Sequence, residues 1–445
     1  MLSAIGETSM TTIDHTHDEM ARSWVASANV LSTEFPIQNL PLGIFHVGRG
    51  GEGRIGVAIG DQILDVGAVL DRGLEGFLHE HEQLLRATSL NGLMAAGRPV
   101  LKLLREHVFG LLLQGCAHED VVRDCLLPMF SVRMGMPARI GDFTDFFTSI
   151  HHARRTGELS RPDMPIAPNF RSLPIAYHGR SSTVVESGVP CIRPKGQVHG
   201  TSGDTRYVPT TRLDFELEVG CFVGPGNALG DTIPLDEAGS HVVGLCLVND
   251  WSARDIQRWE SMPLGPFLAK SFMTSISPWV VTLEALAPFR RPAPARTVEE
   301  PALSTNLTSA AHDLHGAVDI ALEALLQTEK MKREGIAPAV IARPRFAQQY
   351  WTLFQMLTHH ASNGCSLRPG DLIASGTVSG PERENSGCLL ELTVGGREPL
   401  ELPSGERRTF LEDGDMVFLR GACRREGYRS IGFGDCQAQI MKEKV

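Results

Sequence analysis

The sequence predicts a mainly β, α+β chain made of a small first unit and a large second one. Three features carry this reading: short β-branched runs broken by turn residues, one confined stretch of helical periodicity, and an excess of glycine and proline. Gly 45 and Pro 27 in 445 residues are about 10% and about 6%, against about 7% and about 5% ordinarily, which favours turns and short strands over long helices. At about 100–200 residues per domain the length gives two or three domains.

Residues 1–31 carry no apolar periodicity that could bury a face and are expected as a flexible N-terminal extension. From Phe35, FPIQNLPLGIF and RIGVAIGDQILDVGAVL alternate β-branched residues with Gly and Asp, as small hairpins do. Leu84, Leu85, Leu93, Met94, Val100, Leu101, Leu103, Leu104 and Val108 then fall at helical spacing, punctuated by NG and GRP, and predict a helical hairpin. The first domain is placed at 32–137 and the second at 138–445. In the second, strands are separated by GPG, RPGD and EDGD turns, residues 290–302 form a Pro-rich surface excursion, and Arg345–His360 predicts one helix closed by Asn363-Gly364.

Charge and cysteine usage exclude several function classes. With 42 Lys+Arg against 52 Asp+Glu the net charge is −10, so no global positive field draws the chain to nucleic acid or anionic lipid. The nine cysteines are odd in number, scattered and free of any CxxC, as reduced thiols of a cytoplasmic protein are. No apolar run of about 18 residues exists, and the polar, acidic start has no basic n-region or apolar h-region, so no membrane partner is expected.

Four motifs weigh little. Gly48 to Gly53 satisfies GxGxxG but precedes a strand instead of opening a helix. His359-His360 are adjacent helical residues pointing about 100° apart, and histidine in a last turn suits the helix dipole. Ser379 in SGTVSGP lacks the strand–turn–helix setting of a nucleophile elbow. Asn306-Leu-Thr308 matches a glycosylation acceptor without a secretory leader.

The chemistry lies elsewhere. In Leu213-Asp-Phe-Glu-Leu-Glu-Val219 apolar residues alternate with Asp214, Glu216 and Glu218, so a strand here puts three carboxylates on one face. Alone, such a pattern is more often a solvated face. Asp145 in GDFTDFF and Asp250 in CLVNDWSARD each end an apolar stretch, where a loop can turn the carboxylate inward. Converging carboxylates without a neighbouring thiolate form a hard oxygen site, suited to Mg²⁺ or Ca²⁺ and not to zinc. His151-His152 follow Asp145, while Arg254, Gln257 and Lys270 follow Asp250; a divalent ion, an imidazole base and cations together point to enolate chemistry.

The segments IGDFTDFFTSIHHA, LPIAYHGRSSTVVESGVPCIRP, LDFELEVGCFVGPGN, VNDWSARDIQRWESMPLGPFLAKSF, LTHHASNGCSLRPGDLIASGTVSGPE and FLEDGDMVFLRGAC resemble the fumarylacetoacetase (fumarylacetoacetate hydrolase) family, collinearly from about residue 32 to the end. The resemblance implies a small SH3-like β-barrel N-terminal domain, a C-terminal mixed β-roll catalytic domain, a homodimer, and Ca²⁺ or Mg²⁺ as cofactor. By motif, Asp145, Glu216, Glu218 and Asp250 match metal ligands, and Asp250, Lys270 and Thr274 a second ion site. His152 matches the general base and Glu391 the acid that orients it; Arg254, Gln257 and Lys270 match groups around the reacting carbonyl. Arg161, Tyr177 and Thr377 match substrate contacts, as do Phe147 and Ser261, where the family carries tyrosines. The implied reaction is metal-dependent hydrolysis of the carbon–carbon bond of 4-fumarylacetoacetate to fumarate and acetoacetate, the last step of tyrosine and phenylalanine degradation. Alternatives are a hydrolase or decarboxylase of another 1,3-diketo or β-keto acid such as an acylpyruvate, and, in another class, a non-catalytic calcium-binding module.

Overall fold

The computed structural model describes residues 12–74, 79–200 and 203–444. An N-terminal antiparallel sheet runs β1 (Leu42–His46), β2 (Arg54–Ile59), β3 (Gln62–Asp65), β4 (Leu126–Pro128) and β5 (Arg133–Gly135), in the order β4-β3-β2-β1-β5. Its two edges are adjacent in sequence. The five steps from Pro128 to Arg133 span about 18 Å at most and include a 3-10 turn, whereas a flat five-stranded sheet is about 19 Å wide. The sheet must therefore curl toward closure, the geometry of a small barrel. Helix α1 (Arg98–Leu112) packs on it through Leu101, Leu104, Val108, Phe109 and Leu112, the apolar stripe of the expected helical hairpin.

Of the expected extension, residues 1–11 lie outside the described residues, and the rest is tied down. Thr16 and His17 are buried. The buried guanidinium of Arg105 in α1 donates to Thr16 Oγ1 (3.1 Å) and to the carbonyls of Asn39 and Gln38 (2.6 Å each), and His17 Nε2 donates to the Glu284 carbonyl (2.7 Å). Polar fixation by a buried cation leaves no apolar periodicity, so the sequence pattern is silent about it.

The chain then lays down β6 (Phe143–Phe147), β7 (Ile175–His178), β8 (Val184–Glu186), β9 (Cys191–Ile192), β10 (Leu217–Val223), β11 (Val242–Asp250), β12 (Thr274–Ile276), β13 (Ala321–Gln327), β14 (Ala339–Ala342), β15 (Leu372–Ala374), β16 (Met416–Cys423) and β17 (Cys436–Met441). One mixed sheet has the order β7-β6-β15-β10-β11-β12-β8, with β6/β15 and β12/β8 parallel. A second has the order β14-β13-β16-β17-β9. The first sheet is buried on both faces. Leu217, Val219, Cys221, Leu245 and Leu247 face the core shared with the second sheet, while Phe143, Phe222, Val243, Val248 and Leu372 face the core shared with the N-terminal unit.

That second face changes character along its length. Phe143 is followed two residues on by Asp145, Val248 by Asp250, and Phe222 is preceded on the same face by Glu218, so three strands turn from apolar to acidic at one end. Two further helices flank this end, α2 (Ile150–Ser160) and α3 (Arg254–Glu260). The helix expected over Arg345–His360 begins later, as α4 (Leu353–Ala361). Thr352 and Gln355 form a capping box that starts it there, and residues 346–348 form a separate 3-10 turn. A short helix α5 (Leu389–Leu392) completes the site's surroundings. All nine cysteines are free, and no helix among the described residues is long and apolar enough to cross a membrane.

Candidate active site

Asp145, Glu216, Glu218 and Asp250 are buried, and one carboxylate oxygen of each lies within 4.8 Å of those of the others. Asp145 Oδ1 accepts the Gly376 N–H (2.9 Å). Gly376 has φ +72°, and a Cβ there would stand 2.0 Å from the Phe146 carbonyl, so glycine is required for this approach. Asp250 is opposite Thr274 in the β11–β12 register; its Oδ1 accepts the Thr274 hydroxyl (2.8 Å), and its Oδ2 accepts the Tyr177 hydroxyl (2.6 Å) and the Lys270 ammonium (2.8 Å). Glu216 Oε1 accepts Arg254 Nη1–H (2.6 Å) and Oε2 the Lys270 ammonium (2.5 Å). Glu218 differs from the rest: neither of its buried oxygens has a hydrogen-bond partner.

The electrostatics follow from these contacts. Burial pushes the Glu218 carboxyl well above the ordinary carboxylate range, and Asp145, Asp250 and Glu216 push it further. Asp145 is raised by burial and then by Asp250. Burial acts the same way on Glu216, but Lys270 and then Arg254 outweigh it and hold that carboxyl well below its ordinary value. A buried, unpartnered carboxylate facing three others is what a hard cation with oxygen ligands compensates, so these residues fit a divalent ion. The Lys270 side chain donates to two of these carboxylates. Burial lowers its tendency to hold a proton, but Asp250 and Glu216 outweigh that, and a protonated amine has no lone pair to give. It enters as a cation between two carboxylates.

A second group lies on α2. Ser149 caps this helix by accepting the His152 N–H (3.2 Å), and the buried His152 ring meets Glu391 on α5, Nδ1 to Oε1 at 2.5 Å. An ionised Glu391 only accepts, which places the proton on Nδ1 and leaves Nε2 basic. Burial raises the Glu391 carboxyl, but His152, Ser379 and Arg155 together bring it down to about 2. The Phe147 ring packs edge-on against His152, with centroids 5.1 Å apart, and forms an apolar wall beside it.

Arg254 connects the two groups. Besides Glu216 it donates through Nε to Asp214 Oδ2 (2.9 Å) and through Nη1 to Gln257 Oε1 (3.3 Å). Asp214 also accepts the Leu389 and Leu390 N–H groups (2.8 and 2.9 Å), so it fixes the first turn of α5, which carries Glu391. The alternation over 213–219 already placed Asp214 on the acidic face; the signal was there, but its partners are distant in sequence. Arg254 Nη2 lies 2.9 Å from the same Asp214 Oδ2 as an ion pair, without hydrogen-bond geometry, and the buried Thr377 hydroxyl, next to Gly376, has no hydrogen-bond partner. Ser261 Oγ donates to the Gln257 carbonyl (2.6 Å). Arg161 stands exposed at the C-terminal end of α2.

Fold and site together define an enzyme of the hydrolase class, built on a mixed sheet with a buried oxygen-ligand cluster. The chain belongs to the fumarylacetoacetate hydrolase family: residues 143–441 match the family described as fumarylacetoacetate (FAA) hydrolase C-terminal, and residues 38–137 match fumarylacetoacetase N-terminal. It is 46% identical over 423 residues to the fumarylacetoacetase of Oryza sativa subsp. japonica, covering 92% of this chain and 95% of that one. It is 44% identical over 415 residues to that of Homo sapiens, covering 92% and 96%. The solved fumarylacetoacetate hydrolase of Exiguobacterium antarcticum shares the fold, with a TM-score of 0.50, 17% identity and coverage of 91% of this chain and 100% of that one.

Proposed function

We propose that this chain hydrolyses 4-fumarylacetoacetate to fumarate and acetoacetate, the closing step of tyrosine and phenylalanine degradation. The observation that carries this is the buried Glu391–His152 pair beside a carboxylate quartet with one unpartnered member. About 45% identity to curated fumarylacetoacetases over most of the chain supports it, and favours it over acylpyruvate hydrolysis, decarboxylation or simple calcium binding.

Asp145, Glu216, Glu218 and Asp250 would hold Ca²⁺ or Mg²⁺, which when bound supplies a Lewis acid for the diketone oxygens. Glu391 fixes the His152 tautomer, and His152 Nε2 takes a proton from water as its oxygen adds to the carbonyl next to the fumaryl unit. Arg254, the Gln257 amide and Lys270 would donate to the resulting oxyanion, a type of contact worth about 2.7–4 kcal/mol per donor in other enzymes. Collapse breaks the carbon–carbon bond, and the acetoacetate carbanion takes up the proton. Arg161 would pair with a substrate carboxylate, with Tyr177, Thr377, Phe147 and Ser261 around the remainder. In this reading the working form is a cytoplasmic homodimer of chains divided at 32–137 and 138–445.

The test is loss of the diketone absorbance of fumarylacetoacetate with ion-stripped enzyme, with and without added Ca²⁺ or Mg²⁺, and with His152→Ala as control. Ion-dependent turnover to fumarate and acetoacetate that is lost in the variant is expected. Failure of the folded, ion-loaded chain to turn over would refute the reading.

A further inference from the structure

Glu391 is held by more groups than His152 alone. Its Oε1 accepts from His152 Nδ1, from the Ser379 hydroxyl at 2.7 Å and from the Cys388 thiol at 3.4 Å, while Oε2 accepts Arg155 Nη1–H at 3.1 Å. Ser379 is fully buried and does double service. Its Oγ also accepts the Gly387 N–H (3.0 Å), and its carbonyl accepts the hydroxyl of Ser149 (2.9 Å), the cap of the helix that carries His152. Arg155 lies one turn beyond His152 on α2. Besides Glu391 it donates to Ser386 Oγ (3.0 Å), to the Gly380 carbonyl (2.9 Å) and to the Pro381 carbonyl.

Both carboxylate oxygens are therefore pinned by side chains anchored on two separate segments. A carboxylate held at one oxygen alone can rotate about its last torsion, which is broad and nearly two-fold, and present either oxygen to the imidazole at varying angle. With both oxygens fixed, the rotation is removed. We infer that Ser379 and Arg155 are positioning residues for the reaction proposed above: they lock the Glu391 carboxylate so that Oε1 faces His152 Nδ1 and Nε2 stays free as the base. The inference rests on that hydrolase reading. Ser379, which resembles a nucleophile only in its SGTVSGP surroundings, acts through Glu391 and touches no reacting atom.

The experiment uses the full, ion-loaded chain with Ser379→Ala, Arg155→Gln, Glu391→Gln and the double variant Ser379→Ala/Glu391→Gln. Two readouts are taken: kcat and KM on fumarylacetoacetate, and the imidazole ¹⁵N resonances of His152, assigned by their loss in His152→Asn. Each of the first two variants is expected to lower kcat about ten-fold or more with KM within about two-fold, as loss of base orientation does. Ser379→Ala should cost nothing further in the Glu391→Gln background, because its effect passes through that carboxylate. The ¹⁵N shifts should move from the Nδ1–H form toward a mixture in both single variants. Fully additive losses, or wild-type ¹⁵N shifts in both single variants, would overturn the inference. If Ser379→Ala does not fold, Arg155→Gln, at a partly exposed position, decides it by the same shifts. If the wild type does not cleave fumarylacetoacetate, the hydrolase reading fails separately and the ¹⁵N shifts still decide whether Ser379 and Arg155 hold the pair.

Discussion

Replacing Glu218 by glutamine is expected to move stability in opposite directions with and without a divalent ion. In the ion-free chain Glu218 is a buried carboxylate with neither oxygen hydrogen-bonded. The carboxylate oxygens lie within 4.8 Å of one another, so at an effective dielectric of about 20 one charged pair costs at least about 332/(20 × 4.8), or about 3.5 kcal/mol. The chain escapes the full repulsion by keeping a proton on the carboxyl, so at about pH 7 the penalty is capped near 1.36 × (7 − 4.5), or about 3.4 kcal/mol. Glutamine avoids the charge but leaves its own amide short of partners, at about 1–3 kcal/mol. The net expectation is an ion-free variant more stable than wild type by about 0.4–2.4 kcal/mol.

The pH dependence has a definite sign. The folded chain holds a proton on Glu218 that the unfolded chain releases above its ordinary value of 4.5, so ion-free wild type loses stability as pH rises from there toward the raised folded value. The variant should show a shallower fall, with Asp145 still contributing. Saturating ion reverses the order: wild type gains about 2.7 kcal/mol at one hundred times Kd, and the variant, short of one ligand, gains less. Urea unfolding of stripped and Ca²⁺-loaded protein at about pH 5, 7 and 8, followed by tryptophan fluorescence, measures all of these; Trp251 is buried in the core of the catalytic sheet. A variant less stable than wild type in both states, or a wild type that Ca²⁺ does not stabilise, would refute the reasoning.

Lys270→Met removes the cation between Glu216 and Asp250, so the ion-free chain should lose about 3–5 kcal/mol, read by the same unfolding assay. Asp214→Ala leaves Arg254 Nε and the first amides of α5 without their acceptor; a comparable loss of stability is expected, with kcat falling while KM changes little, in steady-state kinetics on fumarylacetoacetate. Phe147→Tyr adds a hydroxyl to the wall beside His152, and if substrate oxygen reaches that wall KM falls about five-fold, a single hydrogen bond of about 1 kcal/mol. An unchanged KM would show that the wall is met only by apolar atoms.

The acidic face was legible because alternation along a strand is a local property. Leu213, Phe215, Leu217 and Val219 enter the core as their spacing requires, and Glu216 and Glu218 follow on the other side. The N-terminal hairpins and the stripe on α1 were legible for the same reason. The start of α4 was misplaced by eight residues because apolar residues before Thr352, among them Phe346 and Trp351, continue the helical spacing while being buried by a 3-10 turn and loop. Glu391 had no local signal. A glutamate in LLEL looks like any helix residue, and its partner His152 lies 239 positions away. Only resemblance to a family placed it in the site; a like distance, 236 positions, hid Arg155, while Ser379, 12 positions from Glu391, was weighed only as a nucleophile.

The arrangement explains why a cluster this acidic can sit in a sheet buried on both faces. Glu216 and Asp250 share Lys270, Glu216 and Asp214 share Arg254, and Asp214 also accepts two backbone amides, so two cations serve three carboxylates while Glu218 and Asp145 have no ion pair of their own. An apolar environment magnifies that residue of charge, which a dication would compensate and which favours protonation in its absence. The same cations tie the cluster to the base. Arg254 bonds both Glu216 and Asp214, and Asp214 holds the turn from which Glu391 reaches His152. Ion site and base pair thus share one chain of charged hydrogen bonds, and a substitution at Arg254 acts on both at once.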